Sequence, residues 1–254
     1  MDRLIYTALD ALAVTRDTRV SIAQNLANMN VPGFRRDLPN EGGTQFLEAM
    51  NALPTRAFPT EAEGTLVSDA PGTISRTDQP LDIAIEGEGW FYVQPESGGE
   101  PALSRRGDLL RGSDGLLRNG AGDLMLDTGL QPIAVPDFQS VSITDLGEII
   151  VEPVGGAAGE AVSVGVMATT LLEGEAGLMR GTDGEIRLPD GTVPQPDQRA
   201  VVVQGALEGS NVNPVEEMLQ NIELQRNFEF GMRMVMNARD LDEAGSRLMQ
   251  APQA

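Results

Sequence analysis

The two ends of this chain follow a different pattern from its middle, and that contrast restricts the folds open to it. From Asp2 to Asn28 there is neither Gly nor Pro, and Ile5, Leu9 and Leu12 recur at spacings of four and three. Ile22, Ala23 and Leu26 resume the pattern beyond the polar stretch Arg16 to Arg19. This spacing predicts a helix of about 27 residues, about 40 Å long. It ends at Val31-Pro32-Gly33-Phe34, because Pro disfavours helix in the residue before it and Pro-Gly suits a type II turn. The other end begins with Asn213-Pro214-Val215-Glu216, with Asn at the cap, Pro at the first helical position and Glu three residues after the cap. The segment then continues to about Met249 with only Gly231 and Gly245 as interruptions. Met234, Ala238, Leu241, Gly245 and Leu248 trace a four-three seam of coiled-coil kind. Met218, Ile222, Gln225, Glu229, Met232 and Met236 trace a different seam with polar breaks, so more than one face of this helix requires a neighbour.

Between the ends, residues 65–207 carry short apolar runs separated by turn signals. Leu81 to Ile85, Trp90 to Val93, Ala161 to Val166 and Ala200 to Val203 read as strands. Gly87-Glu88-Gly89, Ser113-Asp114-Gly115, Asn119-Gly120 and Thr182-Asp183-Gly184 read as hairpin turns. The expected fold is α+β: long N- and C-terminal helices packed together, flanking an inserted, mainly antiparallel β domain. Residues 1–34 form the N-terminal helix, 35–64 a connector with a short helix near Phe46 to Leu53, 65–207 the β domain and 208–254 the C-terminal helix. Two stripes of this length find too little cover on one β domain, so they are expected to pack on each other and on further copies. Head-to-tail contacts of that kind generate rings or open helices.

Composition removes several chemistries. The 254 residues are 41% hydrophobic with 29 Gly and 16 Pro, and contain neither His nor Cys. Ser-His-Asp triads, thiol nucleophiles, Cys/His zinc sites and disulfides are therefore impossible. Lys and Arg number 18 against 38 Asp and Glu, a formal charge of -20, which repels nucleic acid and anionic membrane surfaces. The N-terminal sequence lacks a signal-peptide pattern, and no run approaches the roughly 20 apolar residues of a membrane span. No membrane insertion and no cofactor are expected.

Three constellations could carry chemistry. Asp78, Asp82, Glu86 and Glu88 supply carboxylates of the kind a glycan hydrolase uses, but so acidic a chain places such pairs everywhere. The Asp-Gly turns at 114 and 183 lack the alternating oxygen ligands and terminal Glu of a calcium loop. Gly87-Glu88-Gly89 lacks a following helix and a Lys, and its acid opposes phosphate. A carboxylate-dependent hydrolase of cell-wall glycan is the alternative from the enzyme class.

Two Asn-rich segments stand where the helices meet the middle. Asn25-Leu26-Ala27-Asn28-Met29-Asn30-Val31-Pro32-Gly33-Phe34-Arg35 resembles the N-terminal signature of flagellar rod and hook proteins, Asn-Leu-Ala-Asn, two variable residues, Thr-Pro-Gly-Phe and a basic residue. Thr77 to Ile85 with Gly89 to Gln94 resembles that family's central strand motif, and Ser104-Arg105-Arg106-Gly107-Asp108 its Thr-Arg-x-Gly segment. Leu207-Glu208-Gly209-Ser210-Asn211-Val212-Asn213-Pro214-Val215-Glu216-Glu217-Met218 resembles the C-terminal signature, extended by Ile222 to Glu229 with Gln225 inside it. Val31 and Gln24 depart from the usual Thr and Asn, and Leu109 or Leu110 stands where an aromatic often follows. Met1-Asp2-Arg3, Ile5 to Ala8, Gly89-Trp90 and Glu208 to Val212 are most similar to the proximal rod members, with distal rod and hook members as the alternative.

This resemblance implies a non-enzymatic structural subunit of the periplasmic rod, exported through the flagellar type III apparatus without a cleaved signal. It implies other rod proteins as axial neighbours, the export apparatus and surrounding ring components as further partners, and an oligomeric state in the rod. The end helices would enclose the export channel and help transmit torque. Asn25, Leu26, Ala27, Asn28, Pro32, Gly33 and Phe34, with Glu208, Ser210, Asn211, Val212, Asn213, Glu217 and Gln225, form the implied assembly motif. Asn25, Asn28, Asn211 and Asn213 would tie helix ends and turns through side-chain to backbone hydrogen bonds, with Phe34 as an apolar anchor.

Overall fold

The computed structural model describes residues 2–38, 64–156, 159–172 and 177–249. The short helix expected near Phe46 to Leu53 lies outside them. The chain divides into two compact units. One holds the helices; the other comprises Ala27–Leu38 and Ala62–Val212.

The second unit is a β body. Its sixteen described strands are short and every pairing among them is antiparallel. Trp90–Gln94 is the strand around which the largest sheet is built, paired with Ala102–Ser104, Leu124–Met125 and Thr169–Thr170. Side chains alternate across a strand, and here both faces are apolar. Phe91 and Val93 enter one core with Ile83, Ile85, Leu117, Met125 and Val151, while Trp90 and Tyr92 enter a second with Leu103, Leu126, Leu178 and Ile186. The sheet is therefore a wall between two cores, and its central strand is buried on both sides. Phe138–Ile143, Glu148–Pro153 and Val162–Val166 form a separate meander. Two ribbons complete the body, pairing Ile83–Glu86 with Val201–Gln204 and Ile74–Arg76 with Ala206–Glu208.

The turn readings divide. Ser113-Asp114-Gly115, Asn119-Gly120 and Thr182-Asp183-Gly184 each join paired strands. Gly87-Glu88-Gly89 does not. It carries the chain from Ile83–Glu86 in a ribbon to Trp90–Gln94 in the large sheet, and its two positive-φ glycines make the change of direction.

The helices are α1, Asp2–Ala27, and α2, Pro214–Met249. Both cover the spans expected from the sequence, Asp2 to about Asn28 and Pro214 to about Met249. The expected α+β fold of long helices packed together is nevertheless wrong: the chain is mostly β, and among the described residues all the extensive contacts between elements are strand to strand. The physical reason is visible on α2, where Val215, Met218, Leu219 and Ile222 are 63%, 56%, 57% and 50% exposed. Periodicity defines an apolar face without saying what covers it, and the body completes both cores without a residue from either helix. The side chains of Ile5, Leu9 and Leu12, and of the seam Met234, Ala238, Leu241, Gly245 and Leu248, lie outside the described ones. No described helix is long and apolar enough to cross a membrane.

Candidate functional site

The chain leaves α1 through a tight turn. Val31 N donates to the Asn28 carbonyl at 3.0 Å and Phe34 N to the Val31 carbonyl at 3.2 Å. Pro32 and Gly33 occupy the turn's centre, Gly33 with φ +67°, as a type II turn requires. A Cβ at Gly33 would fall inside van der Waals contact of the Arg105 carbonyl. The turn is fixed from outside as well, since Gly33 N donates to the Glu208 carbonyl at 2.7 Å.

Glu208 is the centre of this joint. It sits at the end of a strand paired with Ile74–Arg76, opposite Ile74, and is 2% exposed. Its Oε1 accepts from Gly72 N at 2.7 Å and lies 2.9 Å from Arg35 Nη2. Its Oε2 lies 3.5 Å from Arg105 Nη1. The Arg35 approach is close but misaligned for a hydrogen bond, so it acts as an ion pair. Arg35 Nη1 donates instead to the Ala70 carbonyl. Arg105 donates to the carbonyls of Ile85, at 3.1 Å, and Gly87.

Both guanidiniums also lie over the Trp90 ring, 5.5 and 5.8 Å from its centroid. Two cations and one carboxylate are thus buried together, and the ring's electron-rich face partly offsets the uncompensated positive charge. Burial lowers the Arg35 pKa, with Glu208 opposing. Burial, opposed by Glu208 and aided by Arg35, lowers Arg105 to about 10, so it remains charged at neutral pH.

Asn211 ties the same strands of chain through its amide. Its Oδ1 accepts from Arg36 N at 2.6 Å, its Nδ2 donates to the Ala70 carbonyl at 2.8 Å, and its own N donates to the Phe34 carbonyl at 3.3 Å. Ser210 Oγ accepts from Val212 N at 3.2 Å, and Val212 is buried. The Arg180 guanidinium stands 4.5 Å from the Phe34 ring centroid.

In the helical unit, Asn213 Oδ1 accepts from Val215 N at 3.1 Å and caps α2, with Pro214 first in the helix. Glu216 and Glu217 lie in the first turn, where the helix dipole favours negative charge. Glu217 is fully buried, and its Oε1 accepts from Asn25 Nδ2 at 3.3 Å. Asn25 thus bonds the Glu217 side chain, and the Asn28 carbonyl takes part in the turn. Leu26 is half-buried, while Ala27 and Gln225 are exposed.

The structure thus brings Gly33, Phe34, Glu208 and Asn211 into one network and Asn25, Asn213 and Glu217 into another. Arg35, Arg105, Trp90, Gly72 and Arg180 complete the first network without having been singled out by role. Their only sequence signal was position: a basic residue after Gly-Phe, an Arg before Arg-Gly, a lone Trp. The candidate carboxylates do not converge. Glu86 and Glu88 are exposed, Asp82 forms a bridge pair with Asp108, and Asp78 is exposed in a positive-φ bend. Among the described residues no group of three or more acids could hold a metal ion.

Comparison with known proteins adds an independent line. Residues 203–248 match the family described as flagellar basal body rod FlgEFG protein C-terminal, and residues 84–151 match the flagellar hook protein FlgE/F/G D1 domain. The chain is 34% identical to the flagellar basal-body rod protein FlgF of Escherichia coli, over 94% of this chain and 95% of that protein. It is 31% identical to the protein of the same name from Salmonella typhimurium, over 98% and 99%. The flagellar basal-body rod protein FlgG of Agrobacterium fabrum is 29% identical over 87% and 89%. Both family matches include parts of the joint: the first takes in Glu208 and Asn211, the second Trp90 and Arg105. The chain belongs to the flagellar basal-body rod protein family and is most like FlgF.

Proposed function

We propose that this chain is a structural subunit of the flagellar rod that enters the assembly through its helices, with the network around Glu208 and Asn211 holding segments 33–36, 70–72 and 208–211 of the β body together. The observation that carries the reading is the uncovered apolar face of α2. Val215, Met218, Leu219 and Ile222 are at least half exposed on adjacent turns, although burying a side chain of this kind contributes roughly 1.5–3 kcal/mol. Neighbouring rod subunits are the occupants that family membership supplies. Family membership likewise supports a periplasmic place in the basal body, passage through the flagellar export apparatus, and a proximal position among the rod proteins. The same membership points to a structural rather than a catalytic role.

The test uses full-length chain carrying Leu219→Glu and Ile222→Glu, expressed in a strain lacking the native gene. Both positions are exposed, so the body should fold as before, with unchanged Trp90 emission. Isolated basal bodies should lack the variant and swimming should be lost. Normal incorporation of the doubly charged variant would overturn the reading.

A further inference from the structure

Two hairpins of the β body are one device used twice. Residues 111–118 read Arg-Gly-Ser-Asp-Gly-Leu-Leu-Arg and residues 180–187 read Arg-Gly-Thr-Asp-Gly-Glu-Ile-Arg. Their geometry agrees bond by bond. Gly112 N donates to the Leu116 carbonyl at 2.8 Å, and Gly181 N to the Glu185 carbonyl at 2.9 Å. Gly115 N donates to Gly112 O and Gly184 N to Gly181 O, both at 3.0 Å. Asp114 and Asp183 each accept from the amide two residues on, at 3.1 Å. Each Asp also pairs with the closing Arg, Arg118 or Arg187, at 2.8 Å. The strand register is the same as well, Arg111 opposite Leu117 and Arg180 opposite Ile186.

The two copies differ in what the leading Arg holds. Arg111 Nε donates to the Val135 carbonyl at 2.7 Å, and its Nη1 pairs with Asp137, whose side chain is 77% exposed. Arg180 spends all three nitrogens. Its Nε meets Asp37 Oδ1 at 2.8 Å, its Nη2 donates to the Arg35 carbonyl at 2.8 Å, and its Nη1 donates to the Gly184 carbonyl at 2.9 Å. The Asp37 carboxylate is fully buried, and the same guanidinium covers the Phe34 ring. Arg180 thus grips the carbonyl of the residue whose side chain reaches Glu208. A planar fork can satisfy these directions together; an ammonium cannot.

We propose that Arg180 is a positioning residue: the hairpin Met179–Arg187 is the second copy of a clamp, and its guanidinium fixes Phe34 to Asp37 so that the joint closes and the subunit becomes competent to assemble. The last clause rests on the rod-subunit reading; the clamp itself does not. The first copy, holding an exposed partner, is the internal control.

The test compares full-length Arg180→Lys with Arg111→Lys, and adds Asp37→Asn as a milder second variant. Leu38 N donates to the Leu66 carbonyl and Ser68 N to the Arg36 carbonyl, so their amide hydrogen exchange reports the clamped segment. Arg180→Lys should accelerate exchange at Leu38 and Ser68 by about 30–100-fold while amides of Trp90–Gln94 change by less than about 3-fold. Asp37→Asn should act at the same amides by about 5–10-fold, and Arg111→Lys should leave them unchanged. Basal bodies from complemented cells should lack the Arg180→Lys chain and contain the Arg111→Lys chain. Equal acceleration at all amides, or none at Leu38 and Ser68, would overturn the clamp. Local acceleration with normal incorporation would overturn its role in assembly. Absence of the unaltered chain from basal bodies would sink the rod-subunit reading instead, with exchange still deciding the clamp.

Discussion

Replacing Glu208 with Gln isolates the charge at the centre of the joint. The substitution keeps the shape of the side chain and an oxygen for Gly72 N, bonded at 2.7 Å. What disappears is the negative charge beside Arg35 at 2.9 Å and Arg105 at 3.5 Å. With charge centres about 4 Å apart and an effective dielectric near 20, each pair is worth about 4 kcal/mol. Against that sum stands the desolvation of the carboxylate itself, several kcal/mol, which the amide largely avoids. The expected net loss is about 3–5 kcal/mol, because two buried guanidiniums then face each other over Trp90 with only the weaker pull of Asp69 and Glu88 against their charge. Urea unfolding at pH 7 checks it. Trp90 is the only Trp in the chain and lies beneath both cations, so its emission reads the joint directly. With a slope of about 2 kcal/mol per molar urea, the midpoint should fall by about 1.5–2.5 M. A fall below about 0.5 M with an unchanged slope would show that the ion pairs contribute little and that the joint is held by its hydrogen bonds.

Three further outcomes follow from the geometry. Gly33→Ala should cost more than about 3 kcal/mol, measured by the same unfolding assay, because φ is +67° and the added carbon meets the Arg105 carbonyl. Asn213→Ala should lower the stability of α2 by about 1 kcal/mol, seen as earlier loss of helical circular dichroism, with Asn213→Ser near neutral. Burial first, then Asp123 and Asp183, raise Glu185 from 4.5 to about 7 against the pull of Arg187 and Arg180. A folded pKa above the unfolded one favours the protonated state, so this group's contribution is fully present below about pH 4.5 and lost as pH rises through 7. Glu185→Gln should therefore gain about 1–2 kcal/mol over the unaltered chain at pH 8, after discounting for partial exposure, and nothing at pH 4.

The ends of the chain were readable because their signals are local. Asn213-Pro214 and Val31-Pro32-Gly33 act through the conformations of one or two residues, and the cap and the turn stand where those residues put them. The strand at Trp90 was readable for the same reason, a short apolar run between turn residues. Partnership was not readable. Gly87-Glu88-Gly89 has the composition of a hairpin, but the strands it joins lie in different sheets, and no local rule distinguishes the two. The helices failed likewise: a stripe at Met218 and Ile222 specifies a need for cover, and no local rule divides that cover between the other helix and further copies, both of which it suggests. At the site, Asn211 was legible from its place beside a helix start. Glu208, Arg35 and Arg105 carried no sign of mutual contact, since charged residues at strand ends are normally solvated.

The joint has a temporal consequence. It unites residues 175 positions apart at Arg36 and Asn211 and 136 apart at Gly72 and Glu208. Closing such loops adds little to the equilibrium cost, about 0.6 kcal/mol per doubling of length, but distant pairings are slow to find. Local hairpins such as the one at Asp114 can form as soon as their few residues are present. The seal around Glu208 must wait for the last fifth of the chain, so a chain synthesised from its N-terminus stays open there until it is nearly complete.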